Sequence, residues 1–229
     1  MSTAPTKIPF EVAPFRLSGA VYGALLNHRT AVAALGDRIA LPPYNAAPRA
    51  PVLYIKPRNT LAASGDVVEI PPGMTELEIG ASVGLVIGRP ACHVSVAKAL
   101  DHVAGYLIVN DVSVPHENFY RPSIRFKARD GFCPLGPAVV ARAAIVDPDA
   151  LGIRTYVDGA LVQTTETAEL VRSSATLLAD VTEFMTLAPG DVLVLGVARP
   201  CPRVRAGQRV DITVDGLGTL SNRFVAAAV

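Results

Sequence analysis

The stretch Lys127-Ala128-Arg129-Asp130-Gly131-Phe132-Cys133-Pro134-Leu135-Gly136-Pro137 is the most informative part of this chain. It places two cations and a carboxylate directly before an apolar segment whose prolines and glycines predict turns. We expect such a segment to hold Lys127 and Asp130 rigidly at the wall of a pocket. Upstream, the apolar run 106–109 ends at Asn110 and Asp111, which leaves a carboxylate at the end of a predicted strand. Together the two pieces predict a site for a small anionic molecule, with or without a metal.

The composition predicts a folded protein with a large core. Half of the 229 residues are hydrophobic, 18% are charged, and the formal net charge is +1. A chain this apolar can bury a sizeable core, so global disorder is not expected. The small net charge, without a basic run, disfavours nucleic acid or an anionic membrane as the main partner.

The cysteines and the apolar runs indicate the compartment. Cys92, Cys133 and Cys201 are widely spaced and form no CxxC pair, which is typical of a reducing environment. No apolar run reaches the roughly 20 residues of a membrane span, and the N-terminus lacks the pattern of a signal peptide. We therefore expect a cytoplasmic protein.

Turn signals and periodicity predict many short strands. Residues 1–18 are expected to be an irregular arm and residues 19–229 a single domain. Asp158-Gly159 predicts a hairpin between strands 155–157 and 161–163. The other predicted strands are 19–26, 52–55, 82–87, 192–196, 209–214 and 219–225, and Pro42 to Pro51 is predicted to be a loop.

Helical signals are fewer. A short helix is expected within 30–40, and a second over 96–104 with Ser95 as its N-cap. A third follows Ser173 or Ser174 and places Leu177, Leu178, Val181, Phe184 and Met185 at helical spacing, which predicts a core-facing stripe. The fold class is therefore α+β and β-rich, a roll or sandwich with a few peripheral helices.

Several cations are candidates for binding a dicarboxylate. Lys56, held between an apolar strand and Pro57, joins Lys127, Arg121 and Arg125, and arginine offers bidentate geometry to a carboxylate. Taken singly, each is also compatible with an ordinary surface cation.

Acidic residues and histidines are the other candidates. Asp111 is either a ligand of a hard cation such as Mg²⁺ or Mn²⁺ or a turn-capping residue. Glu76 and Glu78 have the alternating spacing that converges on one ion in a strand, but their place before the strand proper favours a solvated rim. His116 and His28 are candidates for acid/base catalysis, since imidazole titrates near neutral pH, or for structural roles.

Several motifs in this order resemble the fumarylacetoacetate hydrolase family over roughly residues 20–225. They are Tyr54 to Thr60, Val86-Ile87-Gly88, Gly105-Tyr106 with Asn110-Asp111, Lys127 to Pro137, and Met185 to Asp191. The resemblance implies a mixed β-sandwich roll, a divalent cation, usually Mg²⁺ or Mn²⁺, and β-dicarbonyl or enol-acid substrates that are cleaved, decarboxylated or tautomerised.

One branch of the family is more similar than the rest. Asn27-His28-Arg29, Lys56 to Thr60 and Asn118 to Pro122 resemble the N-terminal half, or separate subunit, of the bifunctional isomerases/decarboxylases of aromatic catabolism. The resemblance implies catalytic roles for Lys127 and Asp130, and His116 is a further catalytic candidate because of its residue type. Lys56, Arg121, Arg125 and Tyr120 are expected to contact a di- or tricarboxylate substrate.

The chain departs from the family at its metal site. Gly80 and Ser82 stand where the resemblance places two glutamate ligands, so that Asp111 alone remains of the three. Ala31 and Ala34 replace the family's His-x-x-Glu pair. The family's Thr-Gly-Thr reads Leu195-Gly196-Val197, and its Arg-Asp reads Pro115-His116.

These departures leave three hypotheses. The chain has a degenerate metal site and works with a homologous partner that carries the complete one; assembly with a homologous subunit or with itself is expected. Alternatively, it is a non-catalytic structural or anion-binding subunit. A stand-alone metal-dependent hydrolase of acylpyruvates is the third, and it requires Glu76 and Glu78 as ligands.

Overall fold

The computed structural model describes residues 11–12, 15–116 and 123–228, and it is built mainly of short strands. The strands are β1 (Glu11–Val12), β2 (Phe15–Arg16), β3 (Val21–Leu25), β4 (Val52–Lys56), β5 (Leu61–Ala63), β6 (Val67–Ile70), β7 (Leu77–Glu78), β8 (Ala81–Ile87), β9 (Val103–Asn110), β10 (Cys133–Ala141), β11 (Gly152–Val157), β12 (Ala160–Glu166), β13 (Val192–Val194), β14 (Arg203–Val204), β15 (Arg209–Val214) and β16 (Gly218–Ala226). The helices are α1 (Arg29–Ala33), α2 (Val96–Ala99), α3 (Ile124–Lys127) and α4 (Ser174–Thr182). Single 3₁₀ turns lie at Gly36–Ala40, Arg58–Thr60, Leu100–His102, Arg142–Ala144 and Thr167–Glu169.

A mixed seven-stranded sheet forms the centre of the molecule, in the order β4-β3-β13-β8-β9-β10-β5. β8 is buried along its whole length, which explains why it is an unbroken apolar run rather than an alternating one. Successive side chains of a strand point to opposite faces. In β9, Ile108 therefore joins the main core and Val109 a second, smaller core on the other face of the sheet.

A five-stranded sheet, in the order β12-β11-β15-β16-β6, covers one face of the central sheet. β11, β15 and β16 contact β8 and β9. The main core combines Val83 and Leu85 of β8 with Ile212 of β15 and Phe224 of β16. The predicted β-rich α+β sandwich with few helices is confirmed.

The predicted hairpin is also confirmed, as β11 and β12. Asp158 and Gly159 both have positive φ, 49° and 81°. These are the backbone conformations of a type I′ turn, whose twist matches that of the two strands.

The helix predicted over 96–104 was wrong in its second half. α2 ends at Ala99, a 3₁₀ turn follows, and β9 begins at Val103. Gly105 does not stop a helix. It lies in β9 where a Cβ atom would stand 2.2 Å from the carbonyl oxygen of Val140 on β10.

The helix predicted after Ser173 exists, and Ser173 caps it by accepting a hydrogen bond from the amide of Thr176. Leu177, Leu178 and Val181 are fully buried, as expected. Phe184 was wrongly assigned to the core, because the helix ends at Thr182 and the Phe184 side chain is 62% exposed.

The segment after Asp130 is the main correction. Cys133 to Pro137 were predicted to form turns, but they begin the nine-residue strand β10. β10 pairs antiparallel with β9 and parallel with β5, and its register shifts between Gly136 and Val140. No helix among the residues described is long and apolar enough to cross a membrane.

Candidate active site

A buried carboxylate, Asp111, lies where β9 ends, and three side chains converge on it. Lys127 Nζ and the Tyr54 hydroxyl each donate to Oδ2, both at 2.5 Å. Lys56 Nζ lies 2.8 Å from Oδ1. The carboxylate is 3% exposed, and it thus faces two positive charges with almost no water.

Lys56 organises the backbone around the site. Its ammonium donates to the carbonyls of Val112 at 2.6 Å, Phe132 at 2.7 Å and Lys127 at 2.9 Å. Since three protons serve three carbonyls, the contact with Asp111 Oδ1 is an ion pair rather than a directed hydrogen bond. Lys56 is fully buried. It was predicted to contact the substrate, but the structure places it behind the site and gives it a positioning role.

Burial and charge compete at Asp111. Burial alone would raise the pKa of this carboxyl, but the ammonium groups of Lys127 and Lys56 outweigh it and hold the pKa well below its usual range. Burial lowers the pKa of Lys56, and the charge of Asp111 opposes that shift. Asp111 is therefore ionised throughout the physiological pH range.

Tyr54 was not among the site residues inferred from sequence. Burial, followed by the negative charge of Asp111, raises its pKa well above the usual value, so the hydroxyl remains a donor. The ring also lies under Lys127 Nζ, 4.6 Å from its centroid.

Gly23 makes room for Tyr54. It is the partner of Tyr54 across β3 and β4, and a Cβ atom there would stand 2.1 Å from Tyr54 Cζ. A glycine inside a strand indicates that another group approaches the backbone closely. Gly23 was therefore the signal in the sequence that a large side chain packs at this position.

A pocket of about 310 Å³ opens onto this cluster. Lys127, Asp111 and Tyr54 form one part of its wall. Arg38, Arg199 and Arg203 bring further positive charge, which sequence reasoning missed because Arg38 and the Arg199/Arg203 pair lie far along the chain from Lys127. Four positions at which the chain departs from the family pattern line the same pocket: Ala31, Ala34, His116 and Val197.

His116 is held in one orientation. Its ring stacks on Phe126, with centroids 4.7 Å apart, and Nδ1 lies 2.8 Å from the carbonyl oxygen of Val114. Because a carbonyl only accepts, Nδ1 carries the proton, and Nε2 is the basic nitrogen of the neutral ring. Burial lowers the pKa of His116, and the positive charges of Lys127 and Arg199 lower it further. The ring is therefore neutral at pH 7.

Cys201 also lines the pocket, but it is not prepared for nucleophilic attack. Burial raises the pKa of its thiol to about 11, so that the reactive thiolate is scarce at neutral pH.

Glu76 and Glu78 are paired with arginines rather than with a metal centre. Glu78 accepts from Arg199 at 2.7 Å and lies 3.9 Å from Arg203. Glu76 is bound by Arg203 and lies 3.7 Å from Arg205. Within the described part of the chain, no three His, Cys, Asp or Glu side chains come together as a metal centre would require.

Of the remaining predicted residues, Asp130, Arg125 and His28 do not line the pocket. Asp130 is exposed and accepts from Asn59 at 2.7 Å, which fixes the turn before β10. Arg125 is exposed on α3. Tyr120 and Arg121 lie outside the described residues. His28 is buried and bonded to Thr165 at 2.9 Å and to Thr30, whose amide it caps at the start of α1.

The donor set does not fit a divalent metal. Mg²⁺ and Mn²⁺ need several oxygen ligands, of which carboxylates matter most. Asp111 is already neutralised by two lysines. At position 80 a Cβ atom would stand 2.6 Å from the carbonyl oxygen of Asp111, so the site has no room for a glutamate there. The Ser82 hydroxyl donates to the carbonyl of Gly196 at 2.5 Å.

Comparison with known proteins gives the relatives of this chain. The fumarylacetoacetate (FAA) hydrolase C-terminal family model matches residues 20–225. A 4-hydroxyphenylacetate degradation bifunctional isomerase/decarboxylase of Salmonella dublin is 42% identical over 210 residues, 92% of this chain but only 48% of the relative. The chain thus spans about half the length of that protein.

Comparison with solved structures gives relatives of the same kind. The 2-hydroxyhepta-2,4-diene-1,7-dioate isomerase of Mycobacterium marinum superposes with a TM-score of 0.78 and 30% identity, covering 95% of this chain and 78% of the other. The fumarylpyruvate hydrolase of Pseudomonas aeruginosa, in complex with Mn²⁺ and pyruvate, gives 0.79 and 25% identity, with 93% and 91% covered. These relatives are isomerases, decarboxylases and hydrolases. The chain belongs to the fumarylacetoacetate hydrolase family.

Proposed function

We propose that this chain is a cytoplasmic subunit of an isomerase/decarboxylase of 4-hydroxyphenylacetate catabolism. Its substrates would be 5-oxopent-3-ene-1,2,5-tricarboxylate, which loses CO₂, and the 2-hydroxyhepta-2,4-diene-1,7-dioate that results. A homologous partner would carry the complete metal site.

The observation that carries this proposal is the pairing of Asp111 with Lys56 and Lys127 at the wall of the pocket. The cluster preserves the anion-binding side of a family site and excludes a glutamate at position 80. The extra length of the isomerase/decarboxylase relative supports a homologous partner, because half of that protein corresponds to this chain.

The pocket residues suit a substrate with several carboxylates. Lys127 is placed to hold the carboxylate next to the reacting carbonyl, and Arg199, fixed by Glu78, to hold a distant one. Isomerisation of this enol to the corresponding 2-oxo acid removes the proton of the 2-hydroxyl group and adds a proton to a carbon of the chain. Neutral His116, whose Nε2 is basic, is the group in the pocket suited to that transfer.

The test compares the purified chain, its homologous partner and their mixture. Each is assayed for CO₂ release from the tricarboxylate and, spectrophotometrically, for isomerisation of the dienedioate. We expect little turnover from the chain alone and more from the mixture than from the partner alone. Full activity of the chain alone would contradict the requirement for a partner.

A non-catalytic anion-binding subunit is the second candidate, and the loss of the family's His-x-x-Glu pair to Ala31 and Ala34 in the pocket wall favours it. His116→Asn in the mixture separates the two. The catalytic hypothesis expects a loss of 10²-fold or more, typical of an acid/base group. An unchanged rate would favour the second candidate.

A further inference from the structure

Lys127 is a buried cation with unused hydrogen-bonding capacity. Its side chain is 4% exposed and lines the pocket. Among the residues that the structure describes, its ammonium has a single hydrogen-bond acceptor, Asp111 Oδ2. An ammonium has three protons, and the ring of Tyr54 beneath it is an aromatic face rather than an acceptor atom.

Within the described ranges, the cluster also carries more positive than negative charge. Two lysines share one carboxylate there, so this buried group has one positive charge in excess. A buried charge is stable only when it is paired and hydrogen-bonded. The three protons of the Lys56 ammonium are used by three carbonyls. An anion in the pocket would therefore pair with Lys127 and balance the excess charge.

Building on the proposed function, we infer that this pocket binds a 2-oxo acid or its enolate directly on Lys127, without a divalent cation. Asp111 acts as the counter-ion that fixes the ammonium rather than as a metal ligand. Tyr54 supports the arrangement, because its hydroxyl donates to the same carboxylate oxygen as Lys127.

The charges of this cluster oppose the binding of a metal in this position. A divalent cation would add two positive charges to this cluster, in which Asp111 is the one carboxylate among the described residues; Glu78, which lines the same pocket, is paired with Arg199. A carboxylate ligand instead neutralises the excess. At about 310 Å³ the pocket has room for a small dicarboxylate, and Arg199, Lys127 and His116 all line it.

The test is calorimetric titration of the full chain with 2-oxoglutarate, first in EDTA after passage over a chelating resin and then with MgCl₂ or MnCl₂. We expect the same Kd within about twofold in all three conditions, and no stoichiometric Mn²⁺ by electron paramagnetic resonance. Binding that appears only with a metal, one Mn²⁺ per chain, or no binding in any condition would overturn the inference.

Two variants locate the site. Lys127→Met should weaken 2-oxoglutarate binding about tenfold or more, the loss expected for a charge-assisted hydrogen bond. Lys127→Arg keeps the charge and should keep most of the binding. Lys98→Met, the same change at an exposed lysine of α2, is the matched control. Unweakened binding by folded Lys127→Met would refute the assignment. If circular dichroism shows that this variant does not fold, the titrations of the unaltered chain with and without a divalent metal still test the inference.

Failure here is distinguishable from failure of the proposed function. A complex that needs this chain for turnover, although the chain binds no 2-oxoglutarate, would overturn this inference alone. Metal-independent binding by a chain that adds nothing to the partner's turnover would overturn the proposed function alone.

Discussion

The ammonium of Lys56 donates a 2.9 Å hydrogen bond to the backbone carbonyl of Lys127, so one buried lysine positions the other. The same ammonium reaches Val112 and Phe132, and thereby ties the end of β9, the end of α3 and the turn before β10 to the edge strand β4. The anion site is therefore assembled by a residue that does not face the pocket.

Replacement of Lys56 should destabilise the protein strongly. Lys56→Met leaves three buried carbonyls and part of the charge of Asp111 without partners, for which we expect a loss of about 3–5 kcal/mol in the free energy of unfolding. Urea denaturation measures it. Lys98→Met should stay within about 0.5 kcal/mol of wild type. A Lys56→Met loss as small as that of the control would refute the organising role.

Gly23 and Tyr54 should be energetically coupled. Gly23→Ala places a methyl group 2.1 Å from Tyr54 Cζ, and such overpacking costs about 1–3 kcal/mol. In a Tyr54→Ala background the obstacle is gone, and the same change should cost much less. A double-mutant cycle in urea gives the coupling energy. If the destabilisation by the two changes were additive, Gly23 and Tyr54 would not be coupled, and the prediction would be wrong.

Acid should remove the contribution of Asp111 to stability. Its folded pKa lies below the value of about 3.9 expected for an unfolded chain. The unfolded state therefore takes up a proton first as the pH falls. The stabilisation is complete above about pH 5 and is lost as the pH falls through 4 toward the folded pKa.

Asp111→Asn measures this contribution. The variant should be less stable than wild type at pH 7, and the difference should shrink as the pH is lowered to about 3, followed by urea unfolding at each pH. A difference that is independent of pH would contradict the ion pairing.

Restoring the family's glutamates should not restore a metal site. The double change Gly80→Glu and Ser82→Glu supplies the missing carboxylates. However, the new Cβ at position 80 meets the carbonyl oxygen of Asp111 at 2.6 Å, and Lys127 still occupies Oδ2. Titration with Mn²⁺ should show no stoichiometric site. One bound Mn²⁺ per chain would show that the backbone near Gly80 moves readily enough to accept a glutamate side chain.

The corrections to the fold share a physical cause. Asp158-Gly159 and the apolar run of β8 were correctly predicted because local conformation and continuous burial act within one segment. The predictions at Gly105 and at Cys133 to Pro137 were wrong. These positions include glycines and prolines, which in a sequence indicate the end of a helix or strand. There, pairing with distant strands overrides local preference: Gly105 lies close to β10, and β10 is joined by β5 and β9.

The sequence by itself determined the family, the β-rich class and the identity of the residues at positions 80 and 82, because each depends on which residues occur in which order. Only the tertiary structure decided which side chains surround Asp111. Lys56, Asp111 and Lys127 come from three separate segments, and their charges act through space over less than 3 Å. No local pattern could show that Lys56 turns inward to hold three carbonyls while Lys127 faces the pocket.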